Sequence, residues 1–125
     1  MPAMDRDRRV HPRLDVMVDV SVRKGARITQ LNAANVSAGG MFFEVDQGAY
    51  PGVAIGEEIE VHLDMGSDRF GRPLELRTPA EVVRIDLGGP GRRAGFAVMW
   101  ASSDPALVHQ LAVLLEYLAE RAKRA

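Results

Sequence analysis

The feature that most constrains the fold is an alternation of apolar and polar residues early in the chain. It begins at Leu14, and every second residue as far as Val22 is apolar, while the residues between them are mostly polar. A period of two with β-branched side chains is typical of a strand that buries one face. This segment is therefore predicted to be a β-strand lying against a hydrophobic core.

Further segments carry strand signals, and turn residues separate them. Residues 26–34 are predicted to return along the first strand through Ile28 and Leu31, after a turn at Lys24-Gly25. More strands are predicted at residues 41–45, 57–63, 74–87 and 93–100, with a polar loop at 64–73. Pro79 indicates an edge or a bulge within 74–87, or a break that divides it into two short strands. This spacing indicates a mainly β protein, a six-stranded antiparallel β-barrel.

The periodicity changes near the end of the chain. Asp104 and Pro105 are a typical N-cap and first-turn pair, and leucines follow at helical spacing up to Leu118. They predict a C-terminal amphipathic helix over residues 104–125, which packs on the barrel or, as the alternative, forms a dimer. The predicted organisation is one domain: a flexible leader at 1–13, a barrel at 14–100 and this helix.

Composition excludes several classes of protein. A chain of 125 residues has room for one core. Because it contains no cysteine, it has no disulfide, thiolate zinc site or cysteine nucleophile. The net charge of −1 disfavours binding to long nucleic acid. No segment is predicted to be a secretory signal or to insert into a membrane, so the expected location is the cytoplasm.

The leader contains a cluster of arginines, Arg8, Arg9 and Arg13, in a polar segment directly before the first strand. Guanidinium groups suit bidentate recognition of phosphate or of the guanine edge. Arg23 and Arg27 have the same spacing as Arg9 and Arg13, but they flank the hairpin turn and are expected to be solvated there. The leader is therefore predicted to supply one part of an anion-binding site.

A second motif, Asn35-Val36-Ser37-Ala38-Gly39-Gly40, follows the second strand. Asn and Ser favour turns through local hydrogen bonds, and Gly39 and Gly40 permit positive φ. Such a turn is expected to direct Asn35 and Ser37 out of the barrel wall, and a glycine lets a ligand approach the backbone.

Together the two motifs resemble those of the PilZ domain family, bacterial receptors for cyclic di-GMP. The family signature is Arg-x-x-x-Arg ahead of a barrel and Asp/Asn-x-Ser-x-x-Gly on it. Weaker similarities are Ile55-Gly56-Glu57, Val82-Val83-Arg84 and Ala94-Gly95-Phe96. The resemblance implies a stand-alone receptor that binds cyclic di-GMP, without a cofactor, through Arg8, Arg9, Arg13, Asn35, Ser37, Gly39 and Gly40.

The same resemblance implies that ligand binding folds the leader onto the barrel. The receptor would then regulate an unidentified downstream protein in motility, exopolysaccharide production or development, as a monomer or weak dimer. Arg8 could bind a second nucleotide, which gives the hypothesis of two ligands per domain. One alternative is a PilZ-like adaptor with weak or no nucleotide binding. Another is a barrel that binds single-stranded nucleic acid, although that class usually presents stacked aromatic residues.

Catalysis and metal binding are not expected. His11, His62 and His109 are scattered over a tail, a strand and a helix, with no carboxylate pattern nearby in the sequence. Ser37 has no evident His or Asp partner that would make it a nucleophile. The sequence therefore predicts a binding protein rather than an enzyme.

Overall fold

Six antiparallel strands and one helix make up the structure, a computed structural model that describes residues 14–45, 52–91 and 93–124. The strands are β1 (Leu14–Lys24), β2 (Arg27–Val36), β3 (Gly40–Glu44), β4 (Glu58–Ser67), β5 (Pro73–Asp86) and β6 (Gly95–Trp100). They close into a barrel in the order β1-β2-β3-β6-β5-β4. The predicted fold class is confirmed. The arginines of the leader, Arg8, Arg9 and Arg13, lie outside the described residues.

Apolar side chains from every strand fill the barrel. Alternate residues of β1 from Val18 to Val22 are buried, as the period of two predicts. The rings of Phe43 and Phe96 lie at the centre, with their centroids 5.0 Å apart. The buried aromatic residues of the strands are Phe43, Phe96 and Trp100.

The C-terminal helix, α1 (Pro105–Arg124), begins where the sequence predicts. Asp104 caps it, because its Oδ1 accepts a hydrogen bond from the Ala106 amide at 2.9 Å. The leucines of its apolar stripe are buried against the barrel at β5 and β1: Leu107, Leu111, Leu114 and Leu118. Among the described residues, no helix has both the length and the apolar character that a membrane span requires.

The polar loop predicted at residues 64–73 is shorter in the structure, where it spans residues 68–72. Strand β4 continues to Ser67 and β5 begins at Pro73, so only five residues separate them. The pairing shifts between Asp64 and Ser67, and this bulge lets the two strands remain paired after the apolar alternation has ended. The polar sequence at residues 64–67 thus reflects the exposure of β4 rather than a loop.

The predicted break at Pro79 is also absent, since β5 is one continuous strand. Ala101 donates a backbone hydrogen bond to the Pro79 carbonyl at 3.0 Å, just past the end of β6. The missing N–H of Pro79 is on this same side, so no bond to β4 is lost. The irregularity in β5 lies instead at Val83, between the pairs that Val82 and Arg84 make with β6.

Ile28, one of the two apolar residues on which the prediction of the second strand rests, is not part of the core. It is 65% exposed, whereas Leu31 on the same strand is buried. Residues three positions apart fall on opposite faces of a regular strand, so these two side chains cannot both point inward.

Candidate functional site

An open cleft of about 680 Å³ lies on the outer face of the barrel. Strands β1, β2 and β3 form one wall, and the last turns of α1 form the other. Its volume is within the range of about 300–1,000 Å³ that is usual for small-molecule sites. Asn35 lines this cleft, and β1, which lines it too, begins at the residue that follows Arg13 in the chain.

A β-bulge explains why Asn35 lies on the outside. Leu31 and Ala33 point into the barrel, so regular alternation would turn residue 35 inward as well. Ala34 has no partner on β3, however, because the pairing passes from Ala33 with Phe43 directly to Asn35 with Phe42. The extra residue reverses the alternation and places Asn35 on the face of the cleft.

The side chain of Asn35 is available for binding. It is half-buried, and it makes no hydrogen bond to any other residue in the described part of the chain. Asp15 is its cross-strand neighbour on β1, and Phe42 is its neighbour on β3. An amide offers two donors and one acceptor oxygen, so Asn35 presents both kinds of group to the cleft.

Ser37 has a different environment, because it holds a tight turn that we call the Ser37 turn (residues 37–40). Its hydroxyl oxygen accepts hydrogen bonds from the amides of Gly39 at 3.1 Å and Gly40 at 3.2 Å. Its own amide donates to the Gly40 carbonyl at 2.9 Å. Ser37 is only 8% exposed, so the expectation that the turn directs it outward is wrong.

Trp100 fixes the Ser37 turn to the end of β6. Its indole Nε1 donates to the Ser37 carbonyl at 3.1 Å, and its backbone amide donates to the Gly39 carbonyl at 3.0 Å. The sequence places Trp100 in an apolar strand and does not reveal this contact, since 63 positions separate Trp100 from Ser37.

The glycines of the motif serve backbone packing. Neither Gly39 nor Gly40 uses the positive φ that glycine permits. A Cβ atom at Gly40 would lie 1.9 Å from the Val98 carbonyl oxygen on β6. Gly40 is therefore required for close approach of β3 and β6, which is a structural role independent of any ligand.

Phe42 gives the cleft an apolar surface beside Asn35. A Cβ atom at Gly95 would lie 2.6 Å from the Phe42 ring, so the ring rests against the backbone of β6. The Arg84 guanidinium lies 5.5 Å from the ring centroid, in a cation–π contact. The bulge at Ala34 and the sheet register bring Asn35, Phe42 and Arg84 together, and the sequence alone does not predict this arrangement.

A second cleft, of about 280 Å³, lies where the turn between β4 and β5 meets α1. Asp68 organises this turn by accepting hydrogen bonds from the amides of Phe70 and Arg72 and from the Arg72 guanidinium. Burial opposes ionisation of Asp68, yet these bonds together lower the pKa of its carboxyl group below the ordinary value. Arg72 also contacts Glu116 of α1 at 3.5 Å, which ties the turn to the helix.

His62, Asp64 and Glu75 form a cluster that the sequence does not reveal, because β4 and β5 bring it together. Their potential ligand atoms lie within 4.8 Å of one another. His62 Nε2 lies 3.0 Å from Glu75, while Arg77 approaches His62 Nδ1 at 3.4 Å. Because arginine can only donate, Nδ1 is the acceptor and Nε2 carries the proton that faces Glu75. These side chains form a polar network on the surface of β4 and β5.

Comparison with known proteins identifies the family. The sequence profile of the PilZ domain matches residues 7–117, which is most of the chain. The protein belongs to the PilZ domain family. At the level of sequence, no curated protein gives a significant match.

Solved structures share the fold at low sequence identity. The PilZ domain of Escherichia coli YcgR with c-di-GMP has a TM-score of 0.74 and 14% identity, covering 94% of this chain and 95% of that domain. The Bacillus subtilis inhibitor of motility, MotI/DgrA, has a TM-score of 0.70 and 20% identity, covering 93% of this chain. This chain spans about half of that protein, 52%. The Klebsiella pneumoniae MrkH–c-di-GMP complex has a TM-score of 0.67, with 13% identity over 93% of this chain and 54% of that one.

Proposed function

We propose that this protein is a non-enzymatic receptor for cyclic di-GMP, which binds in the cleft beside Asn35. The observation that carries the proposal is the free amide of Asn35, which faces a cleft of ligand size with no hydrogen-bonding partner in the described chain. Membership of the PilZ family supports the identity of the ligand, and so does the similarity in fold to the YcgR domain, whose structure was solved with c-di-GMP.

The chemistry of cyclic di-GMP matches this surface. The ligand has two guanine bases, whose edges offer acceptors and donors, and two phosphates that each carry a negative charge. Asn35 supplies hydrogen bonds to a base edge, and the ring of Phe42 supplies an apolar face on which a base can rest. The phosphates need cations, and in our proposal Arg9 and Arg13 of the leader provide them.

The covalent chain keeps those arginines within reach of the cleft. Leu14 pairs with Val36, the residue directly before Ser37. Arg13 precedes Leu14, and Arg9 lies five residues before it, a distance of at most about 18 Å along extended chain. We propose that the leader closes over the ligand, with Arg8 as a further cation, and that the closed surface acts on a downstream protein.

Ser37 contributes in this proposal by shaping the turn, because its oxygen already accepts two hydrogen bonds. Its hydroxyl group can still donate a hydrogen bond to an oxygen of the ligand. The single-stranded nucleic acid alternative is less well supported, since Phe43, Phe96 and Trp100 lie in the core and cannot stack on bases.

Calorimetry with cyclic di-GMP tests the proposal and offers a matched control. The double variant Arg9→Ala/Arg13→Ala should lose measurable binding. The double variant Arg23→Ala/Arg27→Ala removes two arginines at the same spacing from the hairpin end, and it should bind like wild type. Saturation at one ligand per protomer would reject the two-ligand hypothesis. The receptor proposal fails if the wild-type protein gives no binding heat, or if the two double variants bind cyclic di-GMP with the same affinity.

A further inference from the structure

Negative charge in the cleft beside Asn35 opposes the binding of an anionic ligand. Asp15 and Glu44 both line it, and both are carboxylates that repel phosphate. The Arg93 guanidinium lies 2.8 Å from the Glu44 carboxylate and neutralises it. Asp15 has no such partner among the residues that the structure describes. The barrel wall alone is therefore unfavourable for a dianion.

Arg121 is a cation that lines the same cleft. Within residues 14–45, 52–91 and 93–124, it is the one Arg or Lys that lines the cleft. In the same part of the chain it has neither an ion pair nor a hydrogen bond. Leu118, one turn earlier on α1, is 3% exposed and fixes the helix against the barrel, while Ala122 beside Arg121 leaves space.

The sequence suggests only a general role for this residue, namely a cation that complements the negative end of the helix dipole. That role does not distinguish Arg121 from Lys123, which lies on the same final turns of α1. The structure does distinguish them, because Arg121 lines both clefts and Lys123 lines neither.

We infer that Arg121 binds a phosphate of cyclic di-GMP and so connects the C-terminal end of α1 to the ligand, an inference that rests on the proposed function. A guanidinium group pairs with a phosphate through charge-assisted hydrogen bonds. The bound ligand then contacts the barrel wall through Asn35 and the helix through Arg121. Binding thereby ties the end of α1 to the wall from which the leader emerges.

Calorimetric titration of Arg121→Ala with cyclic di-GMP, with Lys123→Ala as the matched control, tests the inference. At about 50 mM NaCl, Arg121→Ala should weaken binding about fivefold to tenfold, and Lys123→Ala less than about twofold. At about 500 mM NaCl the effect of Arg121→Ala should shrink to about twofold, because salt screens an exposed ion pair. Arg121→Lys should recover part of the affinity, since it restores the charge but not the fork.

The outcomes separate this inference from the proposed function. If wild type binds and Arg121→Ala binds as tightly as Lys123→Ala, the inference is overturned and the receptor function stands. An equal loss in Arg121→Ala at both salt concentrations also contradicts an ionic contact. If wild type does not bind cyclic di-GMP at all, both the inference and the proposed function are wrong.

Discussion

Asn35 and Ser37 belong to one short motif, yet the structure places them in opposite environments. The Asn35 amide is open to a cleft and lacks a hydrogen-bonding partner in the described chain. The Ser37 hydroxyl is buried and accepts hydrogen bonds from two backbone amides of its own turn. A motif that resembles one binding signature therefore combines a residue that contacts the ligand in our proposal with residues that build the surface.

The bulge at Ala34 produces this difference. It turns Asn35 to the outer face, and the chain then enters the Ser37 turn, which Trp100 fixes to β6. We therefore expect substitutions in the Ser37 turn to lower the free energy of unfolding. Substitution of Asn35 should lower only the affinity for the ligand.

The largest effect is expected from Gly40→Ala. A Cβ atom at this position meets the Val98 carbonyl oxygen, so β3 and β6 have to separate. We expect the free energy of unfolding to fall by about 3 kcal/mol, measured by urea denaturation. Ala38→Ser, at an exposed position of the same turn, is the control. Equal stability of the two variants would show that the close approach of β3 and β6 is not required.

Ser37→Ala should destabilise the protein by about 2 kcal/mol, because two backbone amides lose their acceptor in a partly buried turn. Ligand affinity should fall as a consequence of the altered turn. Urea denaturation and calorimetry on the same preparation check both effects. Unchanged stability with lost binding would instead make Ser37 a direct ligand contact and remove the contrast with Asn35.

Asn35→Ala should weaken cyclic di-GMP binding about tenfold, or about 1.4 kcal/mol, and leave the stability within about 0.5 kcal/mol of wild type. Gln30→Ala is the matched control on the same strand, since Gln30 donates to the Ser21 hydroxyl and neither residue lines the cleft. A stability loss in Asn35→Ala as large as that of Ser37→Ala would contradict the account.

A smaller loss of unfolding free energy is expected from substitution of Trp100. Trp100→Phe keeps the apolar ring in place but removes the indole donor to the Ser37 carbonyl. We expect a loss of about 1 kcal/mol in unfolding free energy, seen in urea denaturation followed by circular dichroism. The amide signals of the Ser37 turn should also shift in the NMR spectrum. No change in either quantity would mean that Trp100 does not hold the turn.

A pH series compares the Ser37 turn with the turn at Asp68, whose acceptor is ionisable. The pKa of Asp68 is lowered in the folded protein, so its contribution to stability is present above the unfolded pKa of about 4. That contribution is lost as the pH falls through the folded pKa. Asp68→Asn should therefore show a weaker loss of stability below about pH 4 than wild type. Identical pH profiles would exclude the assigned role of Asp68.

The sequence predicts the barrel and the helix well because both depend on hydrophobic periodicity. Three of the four valines of β1 and four of the five leucines of α1 are buried as expected. Exposed polar strands carry no such signal, so the paired ends of β4 and β5 resemble a loop in the sequence. Ile28 illustrates a related limit, since an apolar residue in a strand does not by itself identify the buried face.

The candidate site is predicted in part. The sequence identifies Asn35, Ser37 and Gly40, but their separate roles depend on a bulge and on contacts with β6 that come from distant positions. Arg121 is missed as a cleft residue because only the packing of α1 brings it there. The roles of Arg8, Arg9 and Arg13 remain predictions, since these residues lie outside the described part of the chain.

An NMR titration of the wild-type protein with cyclic di-GMP tests the central claim most directly, because it reports where the ligand binds. Our account predicts saturable shifts of the Asn35 side-chain amide and of the signals of Phe42 and Arg121. The hairpin end at Arg23 and Arg27 should not shift. Absence of any shift at saturating ligand, or shifts confined to the second cleft around Phe70, would contradict the account.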